Sequence, residues 1–62
     1  MQLYLIEDKV TGFFLRFHNE WATEWVMSPR FAGRMSANEA ASVAKKLIAL
    51  GFAVTFKGDN KV

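Results

Sequence analysis

Residues 36–51, SANEAASVAKKLIALG, decide the fold, because they carry a start signal, an amphipathic pattern and a stop signal for one helix. Ser36 and Glu39 have the spacing of a capping box, in which the serine side chain accepts from the Glu39 amide and the glutamate reaches back. Gly51 can end the helix in the left-handed conformation. Between these ends, apolar residues at helical spacing predict one buried stripe: Ala40, Val43, Ala44, Leu47 and Ile48.

Upstream of this helix, the sequence predicts a β-hairpin. Residues 3–7 and 13–18 are rich in strand-forming types, and residues 8–12 between them have the composition of a turn. Asp8 can open such a turn, and Gly12 can take the positive φ that a bulged hairpin loop needs.

The segment 19–35, between the hairpin and the helix, is compatible with two interpretations. Trp21 and Trp25 are four residues apart and fit one face of a helix, whereas residues 24–27 also fit a third strand. We favour the strand. Ser28 followed by Pro29 is typical of a capped first turn, so a single helical turn is expected within residues 29–33.

Downstream of the helix, residues 52–57 alternate in polarity and predict a closing strand, while residues 58–62 predict a flexible tail. The fold class is therefore α+β, with a three- to four-stranded, mainly antiparallel sheet of ββ(β)αβ order and one helix packed on one face. Residues 1–57 form a single domain.

Three alternating strands and a returning helix predict a last strand parallel to the first and beside it, with the hairpin partner on the other flank.

One helix covers only one face of such a sheet, and strand residues alternate between the two faces. We expect the covered face to hold Leu3, Leu5, Phe13, Leu15, Phe17, Phe52, Val54 and Phe56. The opposite face, called the helix-free face below, then holds Tyr4, Ile6, Phe14, Arg16, His18, Thr55 and Lys57. Exposed apolar patches of this kind mark interaction sites, unless the segment 19–35 folds across the patch and makes a second small core.

Composition excludes several classes of site. The chain of 62 residues contains no cysteine, which rules out disulfides and thiolate zinc sites, and a single histidine, His18, cannot build a His-rich metal site. No nucleophile with an orienting partner and no glycine-rich phosphate loop is visible, so we expect neither an enzyme nor a cofactor.

Glu7 and Asp8 interrupt the first apolar run too early for a signal peptide, and no apolar stretch approaches the roughly 20 residues that cross a bilayer. A cytoplasmic protein is expected.

The function predicted from these patterns is non-enzymatic protein binding, with a host protein or a second copy as partner. The residues predicted to contact the partner are Tyr4, Ile6, Phe14, Arg16, Trp21, Trp25, Arg30 and Arg34. Tryptophan is enriched at interface hot spots, although we expect at least one of the two to lie in the core. Arg30 and Arg34 have the spacing to clamp a carboxylate or a phosphate.

The alternative function is nucleic-acid binding. Tyr4 and Phe14, flanked by Arg16 and Lys57 on the helix-free face, would form a stacking platform with charges for the phosphate backbone. Two observations argue against it. The acidic residues Glu7, Asp8, Glu20 and Glu24 lie in the same half of the chain and dilute any positive field, and the aromatic-glycine signature of RNA-binding sheets is absent.

Residues 32–40, AGRMSANEA, preceded by a strand-like Trp25-Val26 and a leading hairpin, resemble a pattern found in small phage- and prophage-encoded proteins of hairpin-helix-strand layout. The resemblance implies an accessory protein of a mobile element. Such a protein would act in the host cytoplasm by binding and inhibiting a larger host or defence protein. The resemblance assigns no functional role to any particular residue of this chain.

Overall fold

The computed structural model describes residues 2–19 and 21–59. Four strands form one antiparallel sheet in the order β3-β2-β1-β4, and one helix packs on one face of it. The elements in chain order are β1 (Leu3–Asp8), β2 (Phe14–His18), β3 (Thr23–Val26), a 3-10 turn (Pro29–Phe31), α1 (Ala37–Ala49) and β4 (Val54–Asp59). The predicted α+β class is confirmed, together with the hairpin, the third strand and the helical turn after Ser28.

The hairpin turn forms through the residues that predicted it. Asp8 Oδ1 accepts hydrogen bonds from the amides of Val10, at 2.8 Å, and Thr11, at 3.3 Å. Gly12 adopts a φ of 78°, a conformation that side chains with a Cβ rarely take. The turn therefore follows from local sequence alone.

Both ends of α1 are also as predicted. Ser36 Oγ accepts from the Glu39 amide, and Glu39 Oε1 accepts from the Ser36 amide, each at 3.2 Å. At the other end Gly51 has a φ of 100°, and its amide donates to the Ile48 carbonyl at 3.0 Å. The Phe52 amide donates to the Leu47 carbonyl at the same distance, which completes a Schellman motif.

The core lies between α1 and the sheet. Its buried members are Ile6, Leu15, Ala44, Leu47 and Val54, with Trp25, Met35, Val43 and Phe52 packed around them. The helix stripe is narrower than predicted, because Ile48 is 57% exposed. Ala40, Ala44 and Leu47 face the sheet directly, so Ile48 lies on the flank of the stripe and remains in solvent.

Between β1 and β2 lies a short extended stretch, residues 33–35, which we call the inserted segment. β1 and β2 share the register pair Glu7↔Phe14 near their turn. Farther from the turn, Tyr4 exchanges two backbone hydrogen bonds with Met35, at 2.8 and 3.0 Å, and the Gly33 amide donates to the Leu15 carbonyl at 3.0 Å. The inserted segment thus occupies the position that a continuous hairpin ladder would fill.

The inserted segment explains why the predicted direction of the last strand is wrong. It runs antiparallel to β1, as its Tyr4↔Met35 bridge shows. The chain therefore returns to the starting end of β1 before α1 begins, and the helix then leads away from that end. As a result β4 pairs antiparallel with β1, from Leu3↔Asp59 to Asp8↔Val54. Its predicted position beside β1, opposite the hairpin partner, is confirmed.

The predicted faces of β1 are reversed. The pair Glu7↔Phe14 places Phe14 on the same face as Leu3 and Leu5, and a shift of one residue in register exchanges the two faces of a strand. Ile6 is 0% exposed in the core under α1, so it does not lie on the helix-free face. Tyr4 likewise lies on the helix side.

A bulge in β2 reverses the faces of its last two residues. The β2–β3 register shifts between Leu15 and Phe17, which then pairs with Glu24. Because a bulge adds one residue to one strand, Phe17 turns to the helix-free face and His18 to the helix side, the opposite of the prediction.

The predicted tail begins too early. Gly58 and Asp59 belong to β4 and pair with Tyr4 and Leu3. Residues 60–62, the rest of the predicted tail, lie outside the described residues.

Gly33 offers a direct test of the inserted segment. A Cβ added at Gly33 would lie 2.5 Å from the backbone carbonyl oxygen of Arg16, which cannot move without displacing β2. We expect Gly33→Ala to lower the free energy of unfolding by about 1–3 kcal/mol, as other overpacked positions do. Urea denaturation followed by circular dichroism measures this loss.

Gly58→Ala is the matched control. A Cβ at Gly58 would meet the terminal amide of the Gln2 side chain, which can rotate away. Its free energy of unfolding should stay within about 0.5 kcal/mol of the parent chain, the usual range for surface substitutions. Equal effects of the two substitutions would show that Gly33 is not held against β2.

Candidate interaction surface

An apolar groove of about 460 Å³ lies between the β2–β3 connection and the carboxyl end of α1. The connection contributes Trp21, Ala22 and Thr23, and the helix end contributes Lys46, Ala49 and Leu50. We call this feature the Trp21–Leu50 groove. It lies on the helix side of the sheet, near the β3 edge.

One wall of the groove is held by an asparagine turn. Asn19 Oδ1 accepts from the amides of Trp21 and Ala22, both at 2.7 Å, and the Asn19 amide donates to the Ala22 carbonyl at 2.9 Å. These bonds fix the backbone that carries Trp21. The Trp21 side chain nevertheless leaves 86% of its residue surface in solvent. A large aromatic side chain is thus presented next to a backbone amide that is held by a hydrogen bond.

The other wall is the end of α1. Leu50 is the C-cap residue, and its amide donates to the Lys46 and Leu47 carbonyls, at 3.2 and 3.0 Å. It remains 69% exposed. Because the Schellman motif at Gly51 stops the helix here, Leu50 does not reach the core and faces the groove instead.

The second tryptophan has a different role. Trp25 is half-buried against the core, and its ring centroid lies 5.7 Å from that of Phe52 at a tilt of 37°. The expectation that at least one tryptophan lies in the core is confirmed by Trp25. Trp21 is the one that remains available to a partner.

The other residues predicted to bind a partner do not form one surface. Ile6 is buried, and Tyr4 is half-buried on the helix side with its ring edge-on to Phe56, at a centroid distance of 5.7 Å. Phe14 is half-buried on the helix-free face. Tyr4 and Phe14 therefore point to opposite faces, and the stacking platform imagined for nucleic acid does not assemble.

Arg16 and Lys57, the two basic residues predicted to flank the stacking platform, each have an acidic neighbour. Arg16 Nε lies 3.8 Å from Glu24 Oε1, and Lys57 Nζ lies 3.6 Å from Glu7 Oε1. Three of the four side chains are more than half exposed, so each pair contributes about 1 kcal/mol or less to stability. The acidic partners reduce the local positive charge that a phosphate backbone would need.

Arg34 holds the structure together and does not form a clamp with Arg30. Its Nε donates to Asp59 Oδ2, while Nη1 and Nη2 donate to the carbonyls of Ala32, at 3.1 Å, and Pro29, at 3.3 Å. These bonds fasten the 3-10 turn to β4 across the helix-free face. Leu5 lies beside Arg34 on this face and is only 7% exposed. Arg30 is exposed beside them.

Residues 28–34 therefore provide part of the second small core considered above. Ser28, Pro29, Arg30 and Arg34 line the same hollow as Leu5 on the helix-free face. The tryptophans take no part in it, since Trp25 faces α1 and Trp21 lies in solvent.

The described residues offer little material for other kinds of site. Within residues 2–19 and 21–59, no three His, Cys, Asp or Glu side chains lie close enough to hold a metal ion. No helix in the same ranges is long and apolar enough to cross a membrane.

No protein-family model matches the chain, and comparison with curated proteins and with solved structures found no match.

The sequence pattern indicates one wall of the groove and not the other. It predicts Trp21 as a partner contact, whereas Lys46, Ala49 and Leu50 fall within the segment predicted as the helix. The available signal was Leu50, a large apolar residue just outside the buried stripe and directly before the stop glycine. The pairing of these two distant segments depends on the tertiary fold.

The two tryptophans should respond differently to conservative replacement. Trp25→Phe leaves Trp21 as the remaining indole, and we expect its fluorescence to be strongly quenched by iodide because the side chain is exposed. Trp21→Phe leaves Trp25, whose emission should be much less accessible to iodide. Only Trp25→Phe should lower the free energy of unfolding by about 1 kcal/mol or more, because it leaves a gap beside Phe52. Similar quenching of both variants would contradict the assignment.

Proposed function

We propose that this chain is a non-enzymatic protein-interaction domain that binds an apolar segment of a larger protein through the Trp21–Leu50 groove. The observation that carries the proposal is the 86% exposure of Trp21, whose amide is held by Asn19, opposite the 69% exposed Leu50. Exposing two large apolar side chains on facing walls is costly in water unless a partner covers them. Tryptophan anchors of this kind dominate the energy of many protein interfaces.

Charge around the groove favours a partner segment with acidic character. Lys46 stands at the rim, and none of the described residues that line the groove is a carboxylate. A partner that inserts an apolar side chain between Trp21 and Leu50 would gain from an aspartate or glutamate placed beside Lys46. The occupant that we propose is therefore an apolar segment flanked by a carboxylate.

The biological setting rests on the resemblance of residues 32–40 to small phage- and prophage-encoded proteins. It supports a role as an accessory protein of a mobile element that inhibits a larger host or defence protein by covering its surface. The cytoplasm of the host cell is the compartment that fits this role, and a chain without cysteine is compatible with it.

Binding through the groove is tested by paired substitutions of exposed apolar residues. Trp21→Ala and Leu50→Ser should abolish capture of the partner from host extract, and should weaken the purified complex at least tenfold in calorimetry, as expected for hot-spot residues. Val10→Ser and Met27→Ser are matched controls, because these side chains are 81% and 77% exposed and do not line the groove. A complex that survives Trp21→Ala, or that is lost equally in the controls, would refute the proposal.

The charge of the partner segment is tested at Lys46. Lys46→Glu should weaken binding by about fivefold, and the loss should diminish as salt is raised, since a rim charge is screened. The alternative function is tested by measuring the solution mass of the protein with and without single-stranded DNA. A complex that forms only with nucleic acid, and dissociates steeply as salt is raised, would favour nucleic-acid binding.

A further inference from the structure

The two edges of the sheet differ in how well they are protected. β3 has four residues, its register with β2 is interrupted by a bulge, and Ser28-Pro29 follows it closely. Short length, a bulge and a nearby proline are devices that discourage pairing of an exposed edge. β4 has six residues, contains no proline and keeps one uninterrupted register with β1, and its single lysine, Lys57, is paired with Glu7 of β1.

The outer edge of β4 presents a regular set of backbone groups. In an antiparallel pair, successive residues alternate between bonding the neighbour and pointing away from it. The backbone amide and carbonyl of Tyr4 bond Met35, which lies on the side of β1 away from β4. Tyr4 and Gly58 are therefore opposite each other without hydrogen bonds between them. By alternation, the amides and carbonyls of Val54, Phe56 and Gly58 all point outward from the sheet, although Val54 is only 6% exposed whereas Phe56 and Gly58 are exposed.

An exposed aromatic ring lies at the centre of this edge. Phe56 is 43% exposed although it is on the helix side, and Tyr4 covers one of its flanks edge-on. The edge therefore combines unpaired backbone groups with apolar surface at its midpoint.

We propose that β4 pairs antiparallel with β4 of a second copy of this chain, about a twofold axis that passes beside Phe56. In this register Phe56 faces Phe56 of the second copy, and Val54 faces Gly58 of the second copy. Every outward-pointing group of one strand then meets an outward-pointing group of the other, which a one-residue shift would prevent. The two sheets become one continuous sheet with both helices on the same face.

Pairing with a second copy matches the outward-pointing groups of the edge and avoids direct contact between like charges. On the helix-free face, the twofold axis places Lys57 opposite Thr55 of the second copy, so like charges do not meet directly. Lys57 is already paired with Glu7 of its own chain, at 3.6 Å, which reduces its ability to repel an approaching strand. The edge is thus complementary to itself. Pairing would also add burial to a domain of a size at which a single core supplies little stability.

Thr55 and Lys57 provide a test that leaves the fold intact. Thr55→Lys places like charges opposite each other across the proposed axis, twice per dimer, while within one chain the new lysine faces Glu7 and gains an opposite charge. We expect a protein that is dimeric by sedimentation equilibrium, with a dissociation constant raised roughly tenfold by Thr55→Lys. The double variant Thr55→Lys with Lys57→Glu restores opposite charges across the axis and should recover the parent affinity.

A parent chain that sediments at the 7.0 kDa of one copy at all accessible concentrations would overturn the proposal. A dimer that is indifferent to Thr55→Lys would overturn it too, and its dissociation by Trp21→Ala would show that self-association uses the groove. Recovery in the double variant, with an unchanged melting curve of each monomer, supports the β4 interface independently of any partner in the groove.

Discussion

The fold depends on the contact of the inserted segment with the strands on either side. Met35 exchanges two backbone bonds with Tyr4, and Gly33 donates to the Leu15 carbonyl. A Cβ at Gly33 would collide with the carbonyl oxygen of Arg16, so the position has no room for a side chain. This position directs Met35 towards the core and Arg34 towards Asp59 on the opposite face. It also sets the end of the sheet from which α1 starts. The direction of α1, the direction of β4 and the covering of Leu5 all follow from these few backbone bonds.

Local signals were sufficient for the elements of the fold and insufficient for their arrangement. The capping box at Ser36, the stop at Gly51 and the turn at Gly12 depend on neighbours within a few residues, and the structure has each of them. The direction of β4 and the faces of β1 depend on where residues 33–35 lie, which no local pattern encodes. A one-residue difference in register was enough to move Ile6 from the predicted surface to the core.

The candidate surfaces show the same division. Trp21 could be singled out because tryptophan is costly to leave in solvent, but its opposite wall, Leu50, comes from the far end of the helix. One short helix covers β1 and β4 better than the β3 end, so apolar surface remains at the groove. The groove and the outer edge of β4 lie at opposite ends of the strand order. A dimer formed through β4 would therefore carry two Trp21–Leu50 grooves on one continuous sheet. Two linked sites bind a target with repeated segments more tightly than one site alone.

The pairing of β1 with β4 has a consequence for how the domain is made. β1 is synthesised first, yet its full ladder, from Leu3 to Asp8, is completed only by β4, the last strand of the domain. Contacts between such distant parts of the chain form slowly, because the intervening loop must close before they contribute. On the ribosome, the early hairpin therefore has little to hold it until residues 54–59 emerge. Its apolar strands remain accessible to chaperones during that interval, and folding is completed after synthesis of the domain rather than along with it.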